Sequence, residues 1–544
     1  MFLPTATSLG GLLDPSHLLN ASPKTITLTI LSLLLTYYLT SSLLAWYRLR
    51  HFSGPFLGKF SYLWIFKIIH SGQMGEALHA AHDKYGGVPP GYPSTVRIGP
   101  SDLITTELDL IRRMSGARSR YVRSDWYKLN RLDPYDDNMF STTSTSYHDH
   151  LKSKMAPGYS GRDNTGVEKD IDYVISKLVD KIRTKYATPK GCTSPAEKPM
   201  LEFGQMAQYF TLDVICKTAF QVEFDHINKE EDVFGYIDMV NNLVYPNAMG
   251  ATIPMVGKVL SNPLFLKVFG PTTKDKRGMG LIMKVAREIV GRRFAEDVKD
   301  QQDMLGSFIR RGLTQRQCET ESIFQILAGS DTTATAIRSG LLYLCSAPHA
   351  YTRLQREIDS RIASGLISSP CITNAESLAF PYLQAVIYES LRMRPPFDGL
   401  PFKVVPPEGD HTRDGRFIPG GTKITATFGA MQRNKEVFGE DADVWRPERW
   451  LGEEQGGDYD VERKREMKSV VEMVFGYGRW QCAGKMVAMV ELNKIFCQLI
   501  RNFDFQIANP TQPWKSRNYH IFFHDDFYFL VTDRHSKTEE EMSG

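Results

Sequence analysis

The residues best suited to chemistry lie in the run FGYGRWQCAG, which extends from Phe475 to Gly484 and carries Cys482 near its end. Cys482 is one of 7 cysteines in a chain of 544 residues. An unpaired cysteine is most often a buried structural thiol. A catalytic nucleophile would need a histidine base, and the sequence places no histidine near this run. A third interpretation, a thiolate metal ligand, depends on the neighbouring residues.

The glycines around Cys482 favour a thiolate ligand to a haem iron. Gly478 and Gly484 have no Cβ, so the backbone there can approach a flat macrocycle closely and turn sharply. A helix is predicted to start at Gly484, and its N-terminal N–H groups and macrodipole would stabilise a thiolate. A phosphate-binding loop is excluded by register, because Met486 follows Lys485 where that motif needs serine or threonine.

A second run, AGSDTT from Ala328 to Thr333, lies in the middle of a helix predicted over Glu321–Leu344. Apolar residues recur along that segment at helical spacing. Glycine and two β-branched threonines are poor helix formers, so a requirement other than helix stability is predicted here. Glycine permits a local groove, and a threonine hydroxyl can leave the helix and bind another group. A plain helix kink is the alternative interpretation.

Both runs resemble motifs of the cytochrome P450 family, whose cysteine loop has the pattern F-x-x-G-x-R-x-C-x-G. The matching positions are Phe475, Gly478, Cys482 and Gly484. The sequence departs from the pattern at Trp480, where the family has arginine, and an arginine stands one place earlier as Arg479. The resemblance implies that Cys482 binds the iron of haem b and that the other residues of the loop shape the haem pocket.

The AGSDTT run is similar to the family's A-G-x-D-T-T segment, which lies over the haem. Carried over residue by residue, Thr332 would hydrogen-bond the oxygen molecule and Asp331 would help to relay protons from solvent. Ala328, one turn before Thr332, would leave room for substrate and oxygen. Heterolytic O–O cleavage needs protons at the distal oxygen while a thiolate donates electron density, so this chemistry requires such a pair.

Two further motifs resemble the family's charged scaffold. YESLR places Glu389 and Arg392 at i and i+3 on a helix predicted over Pro381–Met393, where an ordinary surface pair would contribute about 0.2–0.5 kcal/mol. In the family, this pair joins the arginine of P-E-R-F in a buried triad that fixes the cysteine loop. The resemblance thereby places Glu389 and Arg392 with Asp331 and Thr332 among the predicted catalytic residues. Here that arginine is Arg449, followed by Trp450 in place of phenylalanine. Removing one member would leave the others desolvated and unpaired.

Three basic residues are candidates for contact with the haem carboxylates. His148 and Lys152 are at i and i+4, hence on one face of a predicted helix. A solvated basic helix is the plain alternative. A metal site made of His148 and His150 is disfavoured, because residues at i and i+2 point apart. The resemblance implies that this helix supplies cations to the haem propionates, and Lys403 falls where many members carry an arginine.

Short strands are predicted in the C-terminal half of the chain. One covers Phe402–Val405, and a turn-rich hairpin covers Asp410–Gly421. The last strands, near Tyr519–Val531, resemble the family's C-terminal hairpin, whose tip around His524–Asp526 faces substrate. The segment Ala187–Pro199 is rich in Pro, Gly, Ser and Thr and is predicted to be a loop.

The composition is that of an ordinary globular protein, with 42% hydrophobic and 23% charged residues. The net charge of +3 gives no reason to expect a nucleic-acid partner. The cysteines show no CxxC or zinc spacing, which favours a reducing compartment without disulfides.

The N-terminal region predicts a membrane anchor. Residues 25–47 contain no charged residue and would span about 35 Å as a helix, enough for a bilayer with some tilt. A cleaved signal peptide is the alternative, but no positive segment precedes the apolar run. Arg48 and Arg50 follow at once, which predicts that the remaining chain is cytosolic. The predicted division is a luminal segment 1–24, a transmembrane helix 25–47 and a cytosolic haem-thiolate domain 48–544.

The resemblance implies a mostly α fold, with a helix-rich lobe, a small β lobe and an N-terminal transmembrane helix. It also implies a single-pass monooxygenase of the endoplasmic reticulum membrane that uses O2 and NADPH-derived electrons. The electrons would come through NADPH–cytochrome P450 reductase, with cytochrome b5 as an optional donor. The reductase is expected on the face beneath Cys482, near Lys154, Arg479 and Lys485. The run after Cys482 looks most like fungal members of the pisatin-demethylase-like kind.

The expected substrate is an apolar small molecule, such as a fungal secondary-metabolite intermediate, that is hydroxylated, epoxidised or demethylated. A haem-thiolate isomerase or dehydratase that needs no oxygen is one alternative. The intact Asp331 and Thr332 argue against it, because such an enzyme has no need of proton delivery to oxygen. A non-catalytic haem-binding protein is the other alternative, and consumption of NADPH with substrate would exclude it.

Overall fold

A computed structural model describes residues 22–190, 199–295, 301–457 and 459–536 of the chain, so most of the predicted luminal segment lies outside the described residues. In chain order, its α-helices are α1 (Pro23–Arg48), α2 (Phe56–Phe60), α3 (Leu63–His70), α4 (Met74–Tyr85), α5 (Leu108–Ser115), α6 (Asp125–Leu129), α7 (Thr145–Tyr159), α8 (Val167–Lys181), α9 (Phe203–Phe220), α10 (His226–Lys229), α11 (Tyr236–Thr252), α12 (Pro254–Leu260), α13 (Pro263–Phe269), α14 (Gly278–Ala295), α15 (Met304–Arg310), α16 (Gln315–Ser346), α17 (Pro348–Ala363), α18 (Asn374–Leu378), α19 (Pro381–Met393), α20 (Phe428–Met431), α21 (Lys435–Phe438), α22 (Val461–Val471) and α23 (Lys485–Asn502).

The strands are short and form small sheets. They are β1 (Thr95–Arg97), β2 (Asp102–Thr105), β3 (Val122–Arg123), β4 (Ala187–Pro189), β5 (Leu201–Glu202), β6 (Phe397–Asp398), β7 (Lys403–Val404), β8 (Asp410–His411), β9 (Phe417–Ile418), β10 (Lys423–Ala426), β11 (Phe503–Ile507), β12 (Lys515–Asp525) and β13 (Tyr528–Asp533). One sheet has the order β1-β2-β10-β7-β3, and its β3–β7 register places Arg123 directly opposite Lys403. The predicted mostly α fold with a small β part is therefore confirmed.

The long helix α16 is at the centre of the fold, where it packs against α9, α14, α19 and α23. Its start is fixed by a capping box, in which the Thr314 side chain accepts from the Gln317 backbone and the Gln317 side chain accepts from the Thr314 backbone. Its apolar residues belong to the main hydrophobic core, which also contains the buried faces of the four neighbouring helices. The run AGSDTT is thus held in a rigid, mostly buried helix.

The sequence predicted several elements closely. The structure has α19 over the predicted residues Pro381–Met393, and α23 begins one residue after the predicted start at Gly484. Strands β8 and β9 pair inside the segment predicted as a hairpin, and β7 lies within the predicted strand near residue 403.

Two predictions are wrong. Strand β12 pairs with β6, whereas β13 pairs with β11, β4 and β5, so within the described chain the last two strands do not form a hairpin with each other. The segment Ala187–Pro199, predicted as a loop, starts with β4, which lies beside β13; the prediction is wrong for Ala187–Pro189, and residues 191–198 of the segment lie outside the described residues. Both errors concern the partner of a strand, which depends on distant parts of the chain.

Helix α1 is the helix among the described residues that is long and apolar enough to cross a membrane, by length and composition alone. Its C-terminal end is fastened to the sheet by Arg97 of β1, whose side chain is fully buried. The Arg97 guanidinium donates to the carbonyls of Ala45 (3.1 Å), Trp46 (3.3 Å) and Lys59 (2.9 Å). These bonds satisfy carbonyls that a helix end otherwise leaves without partners.

Candidate active site

The loop that carries Cys482 is held in a tight turn. Gly478 has a φ of +58°, and a Cβ at this position would lie 2.5 Å from the carbonyl oxygen of Ser115, so only glycine fits without movement. The backbone N–H of Cys482 donates to the carbonyl of Phe475 at 2.6 Å. Helix α23 starts at Lys485, which places Cys482 immediately before a helix N-terminus.

The Cys482 thiol faces open space although it lies deep in the fold. Cys482 is accessible to solvent, yet protein atoms surround it closely. This burial is the largest influence on the pKa of the thiol and raises it. The backbone N–H groups of Gly484 and Lys485 donate to the thiol, and these bonds together with the charges of Lys152 and Lys485 offset part of that rise in the pKa. The combination of depth and exposure is that of a side chain on the wall of an internal cavity.

One face of α16 is open along the run AGSDTT. Phe324, Ala328 and Thr332 follow each other at intervals of four residues and are partly exposed, whereas most other residues of the helix are buried. The Thr332 hydroxyl donates to the Ala328 carbonyl at 2.7 Å. This bond keeps the hydroxyl on the open face, in the arrangement by which threonine back-bonds to its own helix.

Asp331 points away from that open face, into a buried polar network. Its Oδ1 accepts from the Gln208 side-chain amide at 2.7 Å and its Oδ2 accepts from the Tyr236 hydroxyl at 2.8 Å. Burial raises the pKa of Asp331 to about 6, although both hydrogen bonds and the nearby Arg338 act in the opposite direction. Asp331 and Thr332 are adjacent in sequence but lie on different faces of α16. Gln208 and Tyr236 were not identified from the sequence, because they come from two other helices.

Glu389 is the centre of a fully buried ionic cluster. Its two carboxylate oxygens accept from Arg392 Nε and Nη2, both at 2.8 Å, and Arg449 Nε donates to Oε1 at 2.9 Å. The Trp450 indole N–H adds a bond to Oε2 at 2.9 Å. Burial alone would raise the pKa of Glu389, but the two arginines hold it below its usual value. Glu389 and Arg392, predicted as catalytic residues, are both completely buried, and their charges are satisfied within this cluster.

The helix α7 braces the cysteine loop. Lys152 Nζ donates to the carbonyls of Arg479 (2.6 Å) and Gln481 (2.7 Å). His148 is buried, its Nδ1 lies 2.9 Å from Asp149, and burial lowers its pKa to about 4. Arg479 turns outward to the Ala117 carbonyl (2.7 Å) and to Asp149 (3.3 Å). These contacts occupy three of the side chains that were expected to bind the haem or its carboxylates.

Two buried cations next to the loop have no counter-ion. Lys403 Nζ donates to the Met114 carbonyl (3.0 Å) and the Ser115 hydroxyl (2.8 Å), and Arg123 Nη1 donates only to backbone carbonyls. Neither residue forms an ion pair with any carboxylate of the described chain. Burial lowers the pKa of Arg123 to about 10, and burial with the charge of Arg123 holds the pKa of Lys403 well below its usual value. Sequence reasoning missed Arg123, because only the β3–β7 register brings it to Lys403.

These residues fit a haem. A haem requires a thiolate or another axial ligand, a surface of apolar and small residues over its face, and donors or cations for its two carboxylates. Cys482, the open face of α16, and the unpaired pair Arg123 and Lys403 supply these three features. An anion beside the two cations would also relieve the repulsion that lowers the pKa of Lys403.

The fold and this site define a haem-thiolate enzyme of mostly α structure. Residues 55–526 match the cytochrome P450 family, and the chain belongs to that family. It is 45% identical over 505 residues to the cytochrome P450 monooxygenase ABA1 of Pyricularia oryzae, a match covering 93% of this chain and 96% of that protein. The identity is 41% over 486 residues to aba1 of Botryotinia fuckeliana (89% and 92% covered) and 35% over 513 residues to abl1 of Leptosphaeria maculans (93% and 87% covered), both also cytochrome P450 monooxygenases. The chain is therefore a cytochrome P450 monooxygenase.

Proposed function

We propose that Cys482 binds the iron of haem b and that the protein oxidises an apolar small molecule with O2 and electrons from NADPH. The observation that carries this proposal is the accessible Cys482 thiol, which accepts N–H bonds from Gly484 and Lys485 at the start of α23. N–H donors and a helix N-terminus favour the thiolate form. When bound, a haem with a thiolate ligand supplies the means to activate O2 for insertion into a C–H bond.

The distal residues are suited to proton delivery in two stages. Asp331, with a pKa raised to about 6, would be about one-tenth protonated at pH 7 and can therefore both accept and release a proton. Thr332 holds its hydroxyl on the open face of α16 and can turn from the Ala328 carbonyl toward an incoming acceptor. Because the two side chains lie on different faces, a rotation of Asp331 or a bridging water must join them.

The substrate we infer is apolar. The open face of α16 carries Phe324, Leu327 and Ala328, and Phe140 stacks on Phe324 with ring centres 4.7 Å apart. None of these side chains carries a charge. This lining agrees with a fungal secondary-metabolite intermediate of terpenoid, polyketide or alkaloid type.

We further propose that the protein is a single-pass protein of the endoplasmic reticulum membrane, with residues 25–47 as the span and residues 48–544 in the cytosol. In support, α1 is only 6% buried along its apolar window. A second apolar surface supports contact with the bilayer, because α12 and α13 expose large side chains in spite of their apolar composition. These are Met255, Val259, Leu264, Val268 and Phe269.

The proposed electron donor is NADPH–cytochrome P450 reductase, with cytochrome b5 as an optional second donor. Of the basic residues expected on its docking face, Arg479 pairs with Asp149 and Lys485 pairs with Glu472 at 2.9 Å. Helix α5 packs beside the cysteine loop and is followed by an arginine-rich turn that includes the exposed Arg118. We therefore place the basic part of the docking face at α5 and this turn, where charge steering would act on an acidic partner.

The test of the proposed function is the spectrum of the reduced protein with carbon monoxide. The wild-type protein should show the red-shifted Soret band of thiolate ligation, and Cys482→Ser should lose it. Cys371→Ser, a change at another partly exposed cysteine, is the matched control and should keep the band. A Cys482→Ser protein that retains the band would remove Cys482 as the ligand. With reductase present, NADPH consumption that depends on substrate would separate the monooxygenase from a haem carrier.

A further inference from the structure

Trp480, the residue that departs from the family pattern, lies next to three basic side chains. The guanidinium carbon of Arg123 lies 4.1 Å from the centre of the Trp480 ring, and the His148 ring centre is 4.4 Å away. The Lys403 ammonium lies 5.5 Å from the same ring. A cation over an indole face at this range is attracted by the ring quadrupole. Trp480 thus stabilises Arg123 in one position, although it carries no charge itself.

Arg123 is fixed in place, also by the Tyr127 ring 4.4 Å from its guanidinium carbon, and still has one buried donor without a partner. Its Nη1 donates to the carbonyls of Met139 (2.9 Å), Phe140 (2.9 Å) and Thr142 (3.1 Å). Its Nε is buried without a hydrogen-bond partner. A buried guanidinium donor without a partner is costly, and an ionised acceptor is the group that best relieves this cost. Arg123 Nε thus lacks the acceptor that a neighbouring anion would supply.

The other basic residues near the loop are not available for this task. The Arg479 guanidinium is bound to the Ala117 carbonyl and to Asp149, and the Lys152 ammonium is bound to two carbonyls of the loop. The imidazole of His148 is engaged with Asp149. Within the described chain, Lys152, Arg123 and Lys403 all lack a carboxylate partner, but of the three only Arg123 keeps a buried side-chain donor, Nε, without a hydrogen bond.

We propose that Trp480 replaces the family's arginine indirectly: its ring positions the Arg123 guanidinium, and Arg123 supplies the cation for a haem carboxylate. Trp480 is then a positioning residue. The task of the family's single arginine is carried out here by two residues, the Trp480 ring and Arg123 of β3. This inference rests on the proposed haem site at Cys482. It assigns no role in haem binding to Arg479, the arginine that stands nearest to the family position in sequence.

The test is the rate at which the loaded protein loses haem to excess apomyoglobin, measured in a double-mutant cycle. Trp480→Leu should accelerate the loss by roughly 2- to 30-fold, the range that corresponds to a cation–π contact. Arg123→Gln should accelerate it by at least about 10-fold, since a charge-assisted bond is lost. The double variant should lose haem no faster than Arg123→Gln alone, because Trp480 acts through Arg123. Losses that multiply in the double variant, or a wild-type rate in Arg123→Gln, would overturn the proposal.

Three further variants separate positioning from general damage to the fold. Arg479→Gln, the matched control, should lose haem at the wild-type rate, and a loss as fast as that of Arg123→Gln would count against the assignment. Arg123→Lys keeps the charge without the planar guanidinium and should give an intermediate rate. Trp480→Arg in the Arg123→Gln background restores a cation at the family position and should restore haem retention. A failure to do so would contradict the proposal that Trp480 and Arg123 together replace the family's arginine.

The haem reduction potential is a second measurement. Arg123→Gln should make it more negative, because loss of a nearby cation disfavours the added electron, and Trp480→Leu should shift it less in the same direction. Shifts that are absent in both variants would contradict the proposal. A failure of the proposed function would be visible separately, since the wild-type protein would then lack the thiolate band with carbon monoxide.

Discussion

Replacing Asp331 with asparagine should make the folded protein more stable relative to wild type as the pH rises. Burial raises the pKa of Asp331 from 3.8 to about 6. When folding raises the pKa of a carboxyl group, the ionised form is less stable in the folded protein than in the unfolded chain. The group therefore lowers the free energy of unfolding above its unfolded pKa. This penalty reaches its full size above the folded pKa. Linkage then gives a penalty of about 1 kcal/mol at pH 4.5 and about 3 kcal/mol at pH 7, constant at higher pH. Asparagine cannot ionise and is free of this penalty, while its amide NH2 cannot accept one of the two bonds to Asp331, a loss that does not depend on pH.

The assay is the urea concentration at which the loaded protein loses its Soret band, compared between wild type and Asp331→Asn at pH 4.5, 6 and 8. The gain should increase from pH 4.5 to pH 6 and change little up to pH 8. Asp525→Asn is the control, because Asp525 is half exposed and pairs with Arg517. Its effect should stay within about 0.5 kcal/mol at each pH. A gain from Asp331→Asn that is flat or falls with pH would refute the assignment of a buried, penalised carboxylate.

Two further predictions concern the distal hydroxyl and the scaffold. Thr332→Ala should keep haem and substrate affinity but divert reducing equivalents to peroxide, measured as peroxide formed per NADPH; unchanged product per NADPH would exclude Thr332 from proton delivery. Glu389→Gln leaves Arg392 buried without a carboxylate and leaves Arg449 with Asp441 alone, so it should destabilise the fold by about 3–5 kcal/mol, seen as a small fraction of chains that purify with haem. The exposed Glu436, changed in the same way, should cost no more than about 1 kcal/mol, and equal losses from both changes would contradict the buried-triad argument.

The sequence predicts elements whose boundaries depend on local signals. The helix Pro381–Met393 starts at a proline, a residue suited to the first turn, and its predicted bounds match the structure. Helix α16 starts six residues before the predicted position, because the capping box at Thr314 lies upstream of the first apolar residues. The predicted C-terminal hairpin failed for a different reason. Which strand β12 joins is decided by contacts with β6, more than a hundred residues away.

The same distinction between local and distant signals applies to the residues of the site. Cys482 and Gly484, or Glu389 and Arg392, lie within one loop or one helix turn, so their spacing alone indicates a shared task. Adjacent residues on a helix are about 100° apart, and for that reason Asp331 and Thr332 could not face the same cavity. The partners of Asp331 come from α9 and α11, and no spacing in the sequence indicates them.

The bonds from Arg97 to the end of α1 make the connection between the proposed membrane anchor and the rest of the protein rigid. A helix joined to its domain by a flexible linker is a tether, and the domain can swivel beneath it. Here a buried guanidinium clamps the last turn of α1 to the sheet, and the following helix is held by the same group. In the proposed membrane orientation, helix and domain must tilt together, so the angle of α1 in the bilayer would set the slant of the whole domain relative to the lipid surface.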